Sequence, residues 1–203
     1  MPTLTGRLAM EQPLLPYVVE DMSLADVKAV AALEKLIFPL PWSARAFEYE
    51  LRHNPMAYFA VLRASTLQHD ATESLPILGY AGFWLIVDEA HICTLGVHPA
   101  WRGRGLGELL LAHLIDRAIQ RGAVVATLEV RASNAAAQSM YRKYGFVPAG
   151  LRRRYYSDNN EDAVIMTTEV ITSASYQRRL SALKASLWPK LGRDAQASAG
   201  ESS

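Results

Sequence analysis

A turn rich in glycine and arginine, placed between a strand-like and a helix-like segment, most constrains how this chain of 203 residues can fold. The turn, residues 102–107, reads RGRGLG and follows the apolar run 91–97. Glycine tolerates positive φ, so such a turn can point several backbone N–H groups at one anion. The helix that follows adds the positive end of its dipole at the same point. The turn therefore predicts a site for a phosphorylated ligand.

The rest of the composition is that of an ordinary globular protein. Half of the residues are hydrophobic and the formal net charge is +1, so global charge predicts no strong attraction to membranes or nucleic acids. The single cysteine, Cys93, excludes an intramolecular disulfide and fits a reducing compartment. The sequence shows neither a secretory signal pattern nor an apolar run long enough to span a bilayer. We therefore expect a cytoplasmic protein.

The hydrophobic pattern predicts an α/β protein. Strand-like apolar runs lead, and helices are interleaved late in the chain. Serines in capping positions, Ser23 and Ser43, begin the first two helices. Strands are predicted at 17–20, 58–62, 77–86, 91–97, 124–130, 146–155 and 163–170, and helices at 24–37, 44–51, 106–121 and 134–144.

Composition divides the chain into four segments. Residues 1–16 hold three prolines and predict a flexible leader, 17–170 form the domain, 171–193 form a basic amphipathic extension, and 194–203 form a disordered tail. The extension either packs on its own domain, which is the simpler interpretation, or touches RNA or a partner. Its removal is expected to spare activity. The polar stretch 64–76 is predicted to be a long loop between two strands.

The spacing of the turn separates it from two common phosphate-binding patterns. It lacks the Lys-Ser/Thr pair of a nucleoside-triphosphate loop and the spacing of a dinucleotide-binding turn. It resembles instead the pyrophosphate loop of the GNAT acyltransferase superfamily, Q/R-x-x-G-x-G/A, with Arg102, Gly105 and Gly107 at the defining positions. This resemblance implies the GNAT fold, a mixed, mostly antiparallel twisted sheet of about six to seven strands flanked by helices. It also implies acetyl-CoA as co-substrate and no metal.

Further segments resemble the RimI branch of that superfamily. They are LEVRASNAAA at 128–137, followed by Met140-Tyr141, FPLPWS at 38–43, and RRYY at 153–156. Enzymes of this branch acetylate the N-terminal alanine of a small-subunit ribosomal protein. The resemblance spans residues 17–169 and leaves the leader, the loop and the tail unexplained.

The resemblance assigns the residues that would hold acetyl-CoA. Backbone N–H groups of the turn would bind the pyrophosphate, and arginine side chains would add charge-assisted bonds. The strand before the turn would bind the pantetheine arm by β-sheet addition and supply an oxyanion donor, with a bulge or close approach at Gly96. Asn134 would contact the amide arm, cap its helix, or do both. The predicted set is Leu95, Gly96, Val97, Arg102, Gly103, Arg104, Gly105, Leu106, Gly107, Glu108 and Asn134.

Two residues are candidates for proton transfer. Glu129 lies mid-strand between apolar neighbours, which is consistent with either a base facing a cleft or an ion pair with Arg131 or another neighbour. The family match favours the base, acting through water or with a raised pKa. Tyr141, by the same match, is the acid that protonates the leaving thiolate, although an aromatic residue on a helix is often a core residue. Cys93 has no activating partner by spacing, and the histidines lack metal-ligand spacing.

The acceptor is the least constrained part of the prediction. Phe38, Trp42 and Tyr155 either line a groove for an N-terminal peptide or serve packing and surface roles. The leading hypothesis is N-terminal acetylation of a protein partner, most simply a ribosomal protein, by a monomer. The alternatives are acetylation of a small-molecule amine, or an acyl-CoA-binding interaction module without catalysis. No nucleic-acid partner is expected, apart from the possible RNA contact of the basic extension.

Overall fold

The computed structural model describes residues 17–65 and 76–200, and side chains as far as residue 192. The predicted leader, most of the predicted loop at 64–76 and the last three residues lie outside this part. The described strands are β1 (Tyr17–Asp21), β2 (Ala57–Ala64), β3 (Ile77–Ile86), β4 (Glu89–Val97), β5 (Val125–Arg131), β6 (Phe146–Tyr156) and β7 (Glu161–Thr168). The described helices are α1 (Val27–Ile37), α2 (Ala44–His53), α3 (Leu106–Gln120), α4 (Ala135–Lys143) and α5 (Ala174–Gly200).

The seven described strands form one sheet in the order β1-β2-β3-β4-β5-β7-β6. Every neighbouring pair is antiparallel except β4 and β5, which are parallel. The predicted fold class, a mixed and mostly antiparallel sheet flanked by helices, is confirmed.

The parallel pair β4–β5 is short, and the two strands then separate. Pairing runs from Glu89↔Val125 to Ile92↔Leu128. Beyond these positions β4 continues against β3 as far as Val97, whereas β5 continues against β7. The sheet therefore opens a gap between the carboxyl ends of β4 and β5, which is the place where a ligand can add to a strand edge.

A β-bulge marks the point where the gap begins. Phe83 pairs with Ile92 and Gly82 with Thr94, so Cys93 is the extra residue on β4. Of the two alternatives predicted at Gly96, a bulge or a close approach, the structure shows no bulge there, because Gly96 pairs in register with Tyr80. Because Gly96 has no side chain, the ring of Tyr80 can lie close to its backbone. A Cβ there would lie 3.1 Å from Cε1 of Tyr80.

Helices α1 and α2 cover one face of the sheet. Ser23 and Asp26 form a capping box before α1, and Ser43 Oγ accepts the N–H of Ala46 at the start of α2. The buried side chains between these helices and the sheet include Val30, Leu33, Phe47, Phe59, Val61 and Tyr80.

Helices α3 and α5 pack against the opposite face. Neighbouring residues of β3 alternate between the two cores, with Tyr80 on the α1–α2 side and Ala81 on the α3 side. The buried side chains of α3 include Leu106, Leu109, Leu110, Leu111, Leu114 and Ile115.

Helix α5 belongs to the main core. Four of its side chains, Tyr176, Leu180, Leu187 and Leu191, are at most 2% exposed. The Tyr176 hydroxyl donates to the carbonyl oxygen of Tyr144 at 2.9 Å. The segment thus packs on its own domain, the simpler of its two interpretations, and its helical backbone continues to Gly200, past the predicted boundary at residue 194. Burial of this kind argues against the expectation that its removal spares activity.

Candidate active site

The predicted site residues lie on β4, β5, β6, α3 and α4, in the turn before α3, at the N-cap of α4 and in the connection from α1 to α2. The predicted aromatic residues Phe38 and Trp42 lie in the connection from α1 to α2, and Tyr155 lies on β6. Leu95, Gly96 and Val97 form the end of β4, Arg102 to Gly105 form the turn, Leu106 to Glu108 begin α3, Glu129 lies on β5, Asn134 caps α4, and Tyr141 lies within α4.

Two glycines give the turn a backbone that other residues rarely adopt. Gly103 has φ +80° and Gly105, the N-cap of α3, has φ +87°. The Arg102 side chain folds back, with Nε donating to the carbonyl oxygen of Val97 at 3.2 Å. The turn is thereby tied to the end of β4.

The N-terminus of α3 has an open backbone of the kind that suits an anion. Gly105 has no side chain with which to cap the helix, and among the described residues no atom outside the adjoining two lies within 4 Å of a Cβ placed on Gly103. The carboxylate of Glu108 is paired with Lys143 of α4 and accepts the Tyr144 hydroxyl, so its charge is engaged elsewhere. The open turn and the first N–H groups of a 15-residue helix fit a pyrophosphate.

Glycine also lets α5 and α4 pack directly against the turn. A Cβ on Gly105 would lie 2.9 Å from Cδ1 of Leu187, which is on α5. A Cβ on Gly107 would lie 3.3 Å from Sδ of Met140, which is on α4. The turn and the start of α3 are therefore packed against both α4 and α5.

Asn134 caps α4 in the structure. Its Oδ1 accepts the N–H of Ala137 at 3.1 Å, which accounts for this residue without a ligand. Its predicted contact with the cofactor stays a prediction.

The carboxylate of Glu129 is held by two basic side chains. His91 Nε2 lies 2.7 Å from Oε2 of Glu129, and Arg152 Nη2 lies 3.0 Å from Oε1. We call these three residues the Glu129 cluster. Leu128 and Val130 join the α3-side core, so Glu129 projects to the α1–α2 side of the sheet. Of the ion-pair partners considered, Arg131 is the wrong one, since it pairs with Asp158 and Glu161.

Tyr141 is buried beside a second tyrosine. Burial raises the pKa of Tyr141 well above its ordinary range, and the nearby Tyr156 raises it further. Burial also raises the pKa of Tyr156 to about 12. The Tyr156 hydroxyl donates to the backbone oxygen of Glu129 at 3.5 Å, so Tyr156 connects the surroundings of Tyr141 with those of Glu129.

Aromatic side chains converge on the Glu129 cluster from two sides. Trp42 stacks on Trp84, with ring centroids 5.8 Å apart, and Trp84 lies 6.1 Å from the ring of His91. From the other side, the guanidinium of Arg152 lies 5.4 Å from the ring centre of Tyr155. Of the predicted acceptor residues, Trp42 is thus linked to Glu129 through Trp84 and His91, and Tyr155 is linked to it through Arg152. Phe38, half-buried, packs with the α1–α2 core instead.

Four residues of the site escaped prediction: Trp84, His91, Arg152 and Tyr156. One signal was present, since His91, like Glu129, is a polar residue between apolar neighbours in a strand. Such residues need a polar partner, but the sequence does not say which strands are adjacent or in which register.

A buried carboxyl group lies on α1 beside the acceptor side of the site. Glu34 is 3% exposed, and its Oε1 accepts the N–H of Trp42 at 3.2 Å. Its Oε2 has no hydrogen-bond partner among the described residues. Burial raises the pKa of Glu34 to about 7, and the Trp42 N–H offsets this only in part.

We expect the free energy of unfolding to fall as pH rises from about 5 to 7, relative to a Glu34→Gln variant. In this window the folded protein holds a proton on Glu34 that the unfolded chain has lost, since the pKa rises from 4.5 to about 7 on folding. Glu34 therefore contributes its full stabilisation below its pKa in the unfolded chain, and this contribution is lost as the pH rises toward its pKa in the folded protein. A pKa shift of this size amounts to about 3 kcal/mol. Glutamine keeps an acceptor for Trp42 without titrating.

Urea denaturation across this pH range measures the difference. Glu48→Gln, on the exposed side of α2, is the matched control and should follow the wild-type curve. Parallel curves for the wild type and Glu34→Gln would contradict the assignment.

The described part of the chain offers little support for a metal site, a cysteine nucleophile or a membrane-spanning helix. No group of three or more histidine, cysteine or acidic side chains there could hold a metal ion. Burial raises the pKa of the Cys93 thiol far above its ordinary range, so this thiol is a poor nucleophile. None of the described helices is both long and apolar enough to cross a membrane.

Known proteins share the sequence pattern and the fold of this chain. Residues 27–146 match the acetyltransferase (GNAT) family. The chain is 38% identical over 157 residues to N-alpha-acetyltransferase RimI of Mycobacterium tuberculosis, covering 74% of this chain and 91% of that protein. It is 35% identical over 154 residues to ribosomal protein bS18-alanine N-acetyltransferase of Salmonella typhimurium, covering 75% and 97%. The crystal structure of the ribosomal-protein-S18-alanine N-acetyltransferase from Escherichia coli superposes with a TM-score of 0.66 at 31% identity, covering 78% of this chain and 96% of that one.

Proposed function

The chain belongs to the GNAT family of acetyltransferases, and on that premise we propose that it acetylates the N-terminal amine of a protein that begins with alanine. The acceptor class follows the relatives from Salmonella typhimurium and Escherichia coli, which are named for the alanine of ribosomal protein S18. Acetyl-CoA is the acyl donor. We further propose that the protein acts in the cytoplasm, as a monomer, on a ribosomal protein.

The observation that carries the proposal is the position of the Glu129 cluster. A carboxylate with a 7% exposed side chain lies on β5 where β4 and β5 separate, and aromatic residues approach it from both sides. A binding module that only held acyl-CoA would need no such group on the α1–α2 side of the sheet.

We assign each chemical task to a residue or segment. The backbone of the turn 102–107 holds the pyrophosphate, and the unpaired edge of β4 holds the pantetheine arm. The Glu129 cluster takes a proton from the substrate ammonium, whose ordinary pKa is about 7.7–8.0. Burial keeps the phenol of Tyr141 protonated, so Tyr141 has a proton to give to the leaving thiolate.

The arrangement favours a peptide over a small-molecule amine. Trp42 and Tyr155 lie on opposite sides of Glu129, and such a span suits an extended chain that enters with its amine toward the carboxylate. A polyamine or similar substrate would call for several acidic groups in the open groove. In the described structure Glu34 is instead buried, and Glu50 binds Trp84 and Asn54.

Acetylation of a synthetic peptide beginning with alanine tests the proposal. We expect one acetyl group at the α-amine, and no turnover on the same peptide with a blocked N-terminus or on free polyamines. Mass spectrometry of the product locates the acetyl group. Equal rates on the blocked and the free peptide would refute N-terminal specificity, and an absence of turnover with every amine would favour the binding module.

A further inference from the structure

Both carboxylate oxygens of Glu129 are already engaged. Oε2 contacts His91 Nε2 at 2.7 Å and Oε1 contacts Arg152 Nη2 at 3.0 Å. The Glu129 side chain is 7% exposed, whereas that of His91 is 20% exposed. An ammonium group entering the site therefore meets the imidazole more readily than a carboxylate oxygen.

The carboxylate determines which nitrogen of His91 carries the proton. An ionised carboxylate only accepts hydrogen bonds, so Nε2 of His91 must be the donor in this contact. In a neutral imidazole the other nitrogen, Nδ1, then holds a free lone pair. This is the same division of roles as in other carboxylate–histidine pairs, where the acid orients the ring and stabilises its charged form.

We propose that His91 is the catalytic base that deprotonates the substrate amine, and that Glu129 is a positioning residue that acts through His91. This inference rests on the proposed function. It gives His91 a role that the resemblance did not provide, and it replaces direct or water-mediated action by Glu129.

The proton balance closes with the residues present. The α-ammonium gives one proton to Nδ1 of His91, and the free amine attacks the thioester carbonyl carbon. A C–N bond forms and the C–S bond breaks. The thiolate takes a proton from Tyr141, and Tyr141 is restored by the second proton that the nitrogen loses on becoming an amide. The imidazolium finally releases its proton to solvent, so the net products are the acetylated amine, free coenzyme A thiol and one proton.

Charged and aromatic groups surround His91 on several sides. Glu129 faces it from β5, and Arg152 from β6 contacts the far oxygen of the same carboxylate. On the β3 side the ring of Trp84 covers His91, and Glu50 of α2 accepts the Trp84 indole N–H at 2.9 Å. Tyr156 completes the surroundings through the backbone of Glu129. Imidazole is the side chain that ordinarily changes charge between pH 5 and 8.

Chemical rescue of His91→Ala tests the inference on the alanine peptide. General-base catalysis contributes about 10²–10⁴-fold, so we expect kcat to fall at least about a hundredfold with acetyl-CoA affinity unchanged. Added imidazole should restore activity in proportion to its free base. Pyrazole, which has the same shape but is a much weaker base, should not. His91→Asn serves as a second variant if the alanine variant folds poorly.

Two further variants separate the roles. Tyr141→Phe should lower kcat without any response to imidazole. In the wild type we expect kcat to fall toward low pH, where the base is protonated, and we call this fall the acid limb. Glu129→Gln should lower kcat but keep the acid limb, whereas His91→Ala should lose it.

Several results would overturn the inference. One is a kcat of His91→Ala within about threefold of the wild-type value. The others are equal rescue of this variant by imidazole and pyrazole, and loss of the acid limb in Glu129→Gln but not in His91→Ala. Failure of the wild type on the alanine peptide, with turnover of another amine, would instead refute the proposed acceptor. The His91 comparison is then made with the amine that is accepted.

Discussion

A chain ending at Thr172, without α5, is expected to lose cooperative folding and with it all acetyl transfer. The truncation removes Tyr176, Leu180, Leu187 and Leu191 from the core. Each buried leucine replaced by alanine costs about 2–5 kcal/mol, and the net stability of a domain is only about 5–15 kcal/mol. Circular dichroism and urea denaturation of the truncated chain measure the loss.

Milder changes serve as controls for this truncation. A chain ending at Arg193 keeps all four buried side chains and should unfold at the wild-type midpoint. Leu187→Ala should lower the unfolding free energy by about 2–5 kcal/mol, whereas Ser181→Ala, on the exposed side of α5, should lie within about 0.5 kcal/mol of the wild type. A chain ending at Thr172 that unfolds at the wild-type midpoint would show that α5 adds nothing to the core.

Gly105→Ala is expected to weaken acetyl-CoA binding far more than Gly103→Ala. Both glycines have positive φ, which costs other residues about 1–2 kcal/mol. Only at position 105 would the new Cβ also meet another group, Cδ1 of Leu187 at 2.9 Å. We expect about a fivefold to thirtyfold loss of affinity for Gly103→Ala and at least about a hundredfold loss for Gly105→Ala. Isothermal titration calorimetry with acetyl-CoA measures both.

A double-mutant cycle checks the cause of that difference. Leu187→Ala removes the group that the new Cβ would meet, so the pair Gly105→Ala and Leu187→Ala should recover part of the lost affinity. Equal losses at positions 103 and 105, or strictly additive effects with Leu187→Ala, would mean that α5 does not constrain the turn.

The local chemistry of this fold was readable from the sequence. Positive φ at Gly103 and Gly105 follows from the turn, and Ser43 caps α2 as its position predicts. Ser23 instead caps the 3-10 turn Leu24–Asp26 that leads into α1. These features depend on residues close together in the chain, where steric and capping preferences decide the structure. The family resemblance supplied the type of sheet, mixed and mostly antiparallel, whereas the order of its strands came only from the structure.

Contacts between distant segments were not predictable in the same way. Period-two alternation shows which face of a strand a residue occupies, but not its partner, so His91 and Glu129 were never paired. Neither Cys93 nor its two neighbours in β4 is a glycine or a proline, so the local sequence of β4 gives no signal for the bulge. The apolar positions of a basic helix are compatible with docking or with exposure, and the burial of these α5 side chains in the structure decides between them. The roles of Glu129 and Tyr141 stay predictions.

The separation of β4 from β5 makes the stability of the protein depend on the supply of its ligand. A strand edge inside a sheet has backbone groups that need partners, and in the free protein water must provide them. With the pantetheine arm in this gap, as proposed, acetyl-CoA acts as a further strand of the sheet. A ligand that binds only the folded state at a hundred times its dissociation constant adds about 2.7 kcal/mol to stability. The lifetime of this enzyme in a cell would then follow the supply of acetyl-CoA, through the folding equilibrium rather than through any dedicated regulatory site.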